Sequence, residues 1–393
     1  MRSLSFLLPV VALLSACAAT PPVIERPEPL LADRLFGPPT ERVTTEDVFT
    51  VSAEMKRYLA FDIAHQLRTK GAQTGLIEAL YERAQLKLEY DAATTKTAAE
   101  AFAARSGNCL SLVIMTAAFA RELRLPVSYQ SAYLDATWSR TGNLLFASGH
   151  VNVTVGRRII DAGTSRDLSP LTIDFLPPED IRRMRVRSIE ESTVVAMYAN
   201  NRAAEALARG GLDDAYAWAR EALRQDPSFM SGYNTLGVVY MRHGNFALAE
   251  TVFDRVLVRE PRNTRALSNL AETYERQGRA GDAGAARTRL AAIEPYPPFH
   301  FFNLGIDAAR QSDWRTARDF FAREVARADY YHEFHFWLGL ADWQLGDVRE
   351  ARKHLQLAID NSTTRGQHEL YSAKLAWLQS RQKENGPARP AGG

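Results

Sequence analysis

The sequence predicts an α+β domain followed by an all-α repeat solenoid. Three observations carry that reading. Helical patterns cover residues 52–67 and 74–86, and residues 110–123 are an apolar run that reads as a buried helix. Apolar residues then alternate at strand spacing over 127–133 and 150–155, and helices followed by antiparallel strands describe an α+β domain. From about Val194 the chain repeats itself every 34 residues, the period of stacked helical pairs.

Arg2 gives a positive start, and Leu4 to Leu14 is almost wholly apolar. That run is too short to span a bilayer and suits a secretory signal over residues 1–16. Ser15 and Ala16 then precede Cys17, and this stretch resembles a bacterial lipoprotein signal. The resemblance implies cleavage before Cys17 and lipid attachment to it. Ala18 in place of Asp implies release to the outer membrane, on its periplasmic side. A plain signal peptide cut near Ala18 is the alternative. Residues 17–44 follow as a Pro-rich tether, with six prolines between Thr20 and Thr40.

The 393 residues suggest two or three domains, and the net charge of +2 argues for no particular partner, neither nucleic acid nor an acidic substrate, so no nucleic-acid partner is expected. The lipoprotein-signal resemblance implies that the membrane is reached through the lipid anchor only.

Residues 45–185 form the mixed domain. Thr97 and Glu100 make a capping box for a helix through Arg105. Leu110 to Leu123 is apolar nearly all round, so that helix is expected to be buried. Val151, Val153 and Val155 share one strand face, and Gly156-Arg157 can turn the chain into Ile159-Ile160-Asp161 as a hairpin partner.

Residues 194–380 carry the repeats. Pro227, Pro261 and Pro295 recur in register, as do Ala215, Ala249 and Ala283, and Gly210, Gly244 and Gly278. The second unit is the clearest, with Tyr233, Leu236, Gly237, Tyr240, Gly244, Ala249, Phe253 and Pro261. It resembles the tetratricopeptide repeat, in which small residues sit where helices approach closely. Two weaker units carry Leu304, Gly305, Ala317 and Phe321, then Leu338, Gly339, Gly346 and Ala351. About five repeats exceed the three or so needed for a self-supporting stack. Residues 381–393 read as a disordered tail.

The chain has two cysteines, and acylation of Cys17 would leave Cys109 as a lone thiol in an oxidising compartment. Gly107-Asn108 breaks the preceding helix and Leu110 starts the next. Cys109 therefore sits near a helix N-terminus, where unpaired N–H groups favour a thiolate. A small buried core cysteine is the plainer reading. A nucleophile needs a base, and residues 41–185 contain two histidines, His65 and His150. His65 lies on a predicted helix, whereas His150 begins a strand. Asp161, across the predicted hairpin, could orient His150. The order Cys, His, Asp permits a triad without forcing one.

Residues 75–165 resemble the transglutaminase-like core of papain-type cysteine enzymes. The matching stretches are Arg105-Ser106-Gly107-Asn108-Cys109-Leu110-Ser111, Ala120-Arg121-Glu122-Leu123-Arg124-Leu125-Pro126, Gly149-His150-Val151-Asn152-Val153 and Ile159-Ile160-Asp161. The resemblance implies a papain-like fold, Cys109 as nucleophile, His150 as base and then acid, and Asp161 orienting His150. The Cys109 amide would form part of an oxyanion hole, with Tyr90, Gln130 and Trp138 as candidates for the second donor.

The expected function is acyl transfer on amide bonds of proteins or peptides, with hydrolysis favoured (peptidase, amidase or deamidase). Cross-linking and a non-catalytic envelope scaffold are the alternatives. No cofactor is implied. His332-Glu333-Phe334-His335 puts two histidines on one helix without a further metal ligand. Phe302, Phe336 and Trp343 fall where repeat arrays line their inner face, so they either hold a protein partner or pack between helices.

Overall fold

The computed structural model describes residues 26–81, 86, 88–92, 94–141, 144–157, 169–173 and 185–384. The first expected helix forms as separate pieces. α1 (Ala53–Arg57) is capped by Ser52, whose side chain accepts the Met55 N–H. The wider turn Tyr58–Asp62 closes with the Ile63 N–H on the Tyr58 carbonyl, and α2 (Ala64–Thr69) continues from it. This break lets Tyr58, Leu59 and Ile63 all reach the core. α3 (Ala72–Tyr81) follows.

β1 (Glu89–Tyr90) and β2 (Ser106–Gly107) pair in parallel, with α4 (Ala98–Ala104) between them. The expected capping box of Thr97 and Glu100 is formed. α5 (Cys109–Glu122) is buried continuously from Leu110 to Ala120, as its apolar circumference requires. β3 (Val127–Thr141), β4 (Leu144–Val155), β5 (Leu171–Ile173) and β6 (Arg185–Ile189) make an antiparallel sheet of order β5-β4-β3-β6. Val151, Val153 and Val155 are fully buried in a core shared with α5. Ile159 to Asp161 lie outside the described residues. The described neighbours of β4 are β3 and β5.

The rest is helical, in pairs. α6 (Glu191–Arg209) pairs with α7 (Leu212–Gln225), α8 (Met230–His243) with α9 (Phe246–Arg259), and α10 (Thr264–Arg276) with α11 (Ala280–Ile293). α12 (His300–Arg310) pairs with α13 (Trp314–Arg327), and α14 (His332–Gln344) with α15 (Val348–Asp360). α16 (Arg365–Glu384) closes the stack, so residues 381–384 of the expected tail are helical. Gly237 and Gly305 explain the small residue in the motif. A Cβ at either would lie 2.5 Å from the ring of Phe253 or Phe321, so the paired helices could not approach as they do. Ser312 occupies the turn position that glycine holds in the other units, at φ 61°.

The described part of the Pro-rich segment differs from a free tether. Residues 28–45 lie along the first two repeats as a strap with two 3₁₀ turns, Glu28–Leu30 and Asp33–Leu35. The Tyr240 hydroxyl accepts the Ala32 N–H at 3.0 Å and donates to the Leu30 carbonyl at 2.7 Å. Phe36 stacks on Tyr216 with centroids 4.0 Å apart. Asp33 accepts from Tyr216 and Arg220, Thr40 binds Asp214, and Glu41 accepts from Arg202 and Trp218. Pro27 and Pro29 sit at the first 3₁₀ turn, and Tyr240 of the array satisfies the Ala32 N–H and the Leu30 carbonyl.

Candidate functional site

Cys109 is the first residue of α5, and its surroundings are fixed by polar groups just upstream. Asn108 caps the helix, its side-chain oxygen accepting the Ser111 N–H at 2.9 Å. The Asn108 amide donates to Thr95 Oγ1 at 2.9 Å, and the Ser111 hydroxyl accepts the Lys96 N–H at 2.8 Å. The 95–97 loop is thereby tied to the start of the cysteine helix. Gly107 permits the turn, since a Cβ there would sit 2.7 Å from Ser111 Cβ. Cys109 itself is half-buried and free.

The β1–β2 pairing puts Tyr90 opposite Gly107 and brings its phenol to Cys109. Burial of the hydroxyl end pushes the Tyr90 pKa up, the neighbouring thiol adds to this, and the Cys109 amide acts the other way. Tyr90 as a whole is 44% exposed, so it borders solvent beside the cysteine. Tyr90, one of the three candidates for a second oxyanion donor, is thus placed beside Cys109. Gln130 pairs with Asn152 in the β3–β4 ladder, and the Trp138 backbone pairs with Ala147.

The backbone of His150 lies in β4 opposite Ala132. Only that backbone position is described, and Asp161 and Cys17 fall outside the described residues. The structure therefore places one member of the expected triad in full. On the far side of the 95–97 loop, the Thr95 N–H donates to Glu205 of α6 at 2.7 Å. Burial raises the Glu205 carboxyl, with hydrogen bonds from Thr95 and the charge of Arg202 opposing it.

The aromatic residues expected on an inner binding face divide. Phe302 is 1% exposed and packs among Phe299, Phe321 and Phe334, which corrects it to a core residue. Phe336 stacks on Tyr371 and Trp343 meets Trp377 edge-on, so both pack between helices while staying partly exposed. His332 and His335 part company. His332 bonds the Tyr371 hydroxyl at 2.7 Å, whereas His335 contacts His354 at 3.1 Å and the Asp329 carbonyl at 2.8 Å. Among the described residues no group of three or more His, Cys, Asp or Glu is placed to hold a metal.

One set of residues escapes the sequence reading. Asn201, Thr235, Asn269 and Asn303 recur every 34 residues on the first helix of successive units. Asn269 donates to Asn234 of the preceding unit at 3.2 Å. A primary amide offers both donor and acceptor, the pairing an extended backbone requires. The signal is the same period that marks the prolines, applied to polar positions.

The tetratricopeptide repeat family matches residues 234–297 and 302–365. No curated protein matches the chain. Solved structures with similarity include pilF of Pseudomonas aeruginosa, at 19% identity over 51% of this chain and 96% of that one, TM-score 0.29. Yeast Tom70 is similar at 14% identity over 49% of this chain and 41% of that one, TM-score 0.35. A thermophilic repeat protein of Thermus thermophilus is similar at 16% identity over 47% of this chain and 99% of that one, TM-score 0.29. The period, the paired helices and the matched family agree: tetratricopeptide repeats occupy residues 234–297 and 302–365, within an all-helical C-terminal region that begins at Glu191.

Proposed function

We propose that the protein is a docking scaffold whose repeat array holds an extended segment of a protein partner. One observation carries the reading. The first two repeats already hold residues 28–45 of this chain as a strap with two short 3₁₀ turns, through backbone contacts at Tyr240 and a ring stacked on Tyr216. Units three to five continue the same architecture with polar amides at Asn269 and Asn303, and the strap contacts stop short of them among the described residues. Photo-cross-linking tests this. A benzophenone side chain at Asn269 or Asn303 should capture a discrete polypeptide, and one at Arg289 on the second helix should not. Equal capture at all three positions would refute a directed docking face.

A second reading adds chemistry at Cys109. The cysteine begins a capped helix and is bordered by a partly exposed Tyr90. In this proposal Cys109 Sγ attacks an amide carbonyl, and His150, oriented by Asp161, passes the thiol proton to the departing amine. The thioester then goes to water, giving a carboxylate and restoring the thiol, or to a second amine. Iodoacetamide labelling across pH tests it, because His150→Ala should shift the profile of a paired thiolate. A profile untouched by His150→Ala would sink the pairing. The proposed setting is the bacterial envelope, with Cys17 carrying the lipid. A lipid mass lost in Cys17→Ser would support it, and a wild-type protein without that mass would exclude it.

A further inference from the structure

The array is interrupted once. In every other junction the second helix of a unit packs on the first helix of the next, as α7 does on α8, α9 on α10 and α13 on α14. Between α11 and α12 that packing is far sparser. The connection is Glu294 to Phe299, which contains Pro295, Pro297 and Pro298, and Phe299 adopts φ 64°. Two separate hydrophobic cores flank it. One runs from Val48 through the cysteine domain to Leu270, and the other gathers Phe299, Phe302, Phe321, Phe334 and Leu338. The α10–α11 pair retains an open cavity of about 530 Å³, lined by Ala271, Glu275, Arg287 and Leu290 among others. Close packing locks side chains together, and an interface without it leaves the two bodies coupled mainly through the chain.

The far end of the second body returns to the cysteine domain. The Ala92 N–H donates to the Thr363 carbonyl at 3.3 Å. The Arg365 guanidinium, hydrogen-bonded to Glu369 on its own helix at 2.8 Å, also lies in the field of Glu89. Glu89 and Ala92 flank Tyr90, whose phenol reaches Cys109. This latch is a hydrogen bond at 3.3 Å and a longer-range attraction between exposed charges, which are weak contacts in water.

We propose that residues 300–384 form an arm, hinged at 294–299, that closes on residues 89–92 and screens Cys109 from large molecules. The arm moves as a body because its own aromatic core is intact. It opens readily because its far contact is weak and its near junction is sparsely packed. Cys109 serves here as a reporter of access, and the arm closes whether or not the thiol is a nucleophile.

The test locks the arm in the full chain with Ala92→Cys and Thr363→Cys. Backbone groups in hydrogen-bond contact put these positions within reach of a disulfide. Cys109 is then labelled with a polyethylene-glycol maleimide or with iodoacetamide, and its modification is followed by peptide mass spectrometry. The locked arm should slow the bulky reagent at Cys109 by about tenfold through loss of the open population, and leave iodoacetamide within about twofold. Arg365→Glu, which repels Glu89, should speed the bulky reagent without any new cysteine. Equal bulky-reagent rates in the wild type, the locked chain and Arg365→Glu would overturn the hinge. So would failure of the two cysteines to cross-link.

Discussion

The two parts of the repeat array share a period and differ in what they are attached to. Helices α6 to α10 belong to one core with the cysteine domain, so Tyr233, Phe253 and Leu270 are buried in the same cluster as Phe119 and Val153. Helices α12 to α14 gather around a separate aromatic cluster. The local rule is identical in both, since Gly237 admits Phe253 as Gly305 admits Phe321. Repeats are thus specified locally, whereas cooperativity is decided by what lies across the next interface. A repeat period read alone would suggest one uniform rod.

Deleting the large ring at matched positions is the strongest way to break that comparison. Phe253→Ala and Phe321→Ala remove fully buried rings in equivalent places. Each should cost about 3–5 kcal/mol. Phe253→Ala should lower the transition that unfolds the cysteine domain, while Phe321→Ala should lower only that of the arm. Calorimetry with hydrogen exchange on α5 and α13 peptides separates the two, and a single shared transition in both variants would erase the distinction.

Acid sharpens the comparison next. Burial pushes His332 and His354 down to about 4 from an ordinary 6.5, and burial also lowers His335 beside them. Asp329, Lys353, Glu350 and the Tyr371 hydroxyl face this group. A histidine lowered in the folded state takes up its proton more readily when unfolded. Its contribution is full above pH 6.5 and is lost as pH falls toward 4, on the order of 3 kcal/mol for His332. In the strap, hydrogen bonds from Tyr216 and Arg220 hold the Asp33 carboxyl below its ordinary 3.8, so its contribution persists until the medium is more acidic. Between about pH 6 and 4.5 the arm should weaken while the strap stays docked. Hydrogen exchange at these two pH values reads it, and earlier release of the strap would contradict the assignment.

The smallest effect lies at the cysteine helix. Asn108→Ala removes the cap and the bond to Thr95, and should cost about 1 kcal/mol. Faster exchange should appear in residues 95–111 and not in α12 to α15. A loss spreading into the arm would mean that the two bodies are more tightly coupled than their cores imply.

Much of this architecture is legible in the sequence, for reasons that differ by region. Pro227, Pro261 and Pro295 with their matching glycines place the first units because helix ends are written in local residues. Thr97 and Glu100 announce their helix for the same reason. The strap reads locally as a free tether, because six prolines declare an extended chain but not the surface it lies on. Tyr216 and Tyr240, which hold Phe36 and Ala32, are about 200 residues away. Periodicity offers Phe302 as a binding residue because it gives only the face of a helix. The return of Phe299, Phe321 and Phe334 over it is a tertiary fact. The interruption at Glu294–Phe299 is present in the prolines, but its consequence depends on two cores that no single segment encodes. At the site, the position of Cys109 at a helix start follows from Gly107-Asn108, while Tyr90 beside it follows from the pairing of β1 with β2.

The central claim is that the array docks extended polypeptide, and its own strap gives the direct test. In the full chain carrying Phe36→Ala and Asp33→Ala, the stacking and carboxylate contacts that seat the strap are removed. A fluorescent peptide of residues 28–45 is then titrated and followed by anisotropy. The account predicts saturable binding to this chain, weaker binding to the wild type whose site is filled, and loss on adding Tyr240→Phe. Absence of saturable binding to the strap-released chain, or binding indifferent to Tyr240→Phe, would contradict it.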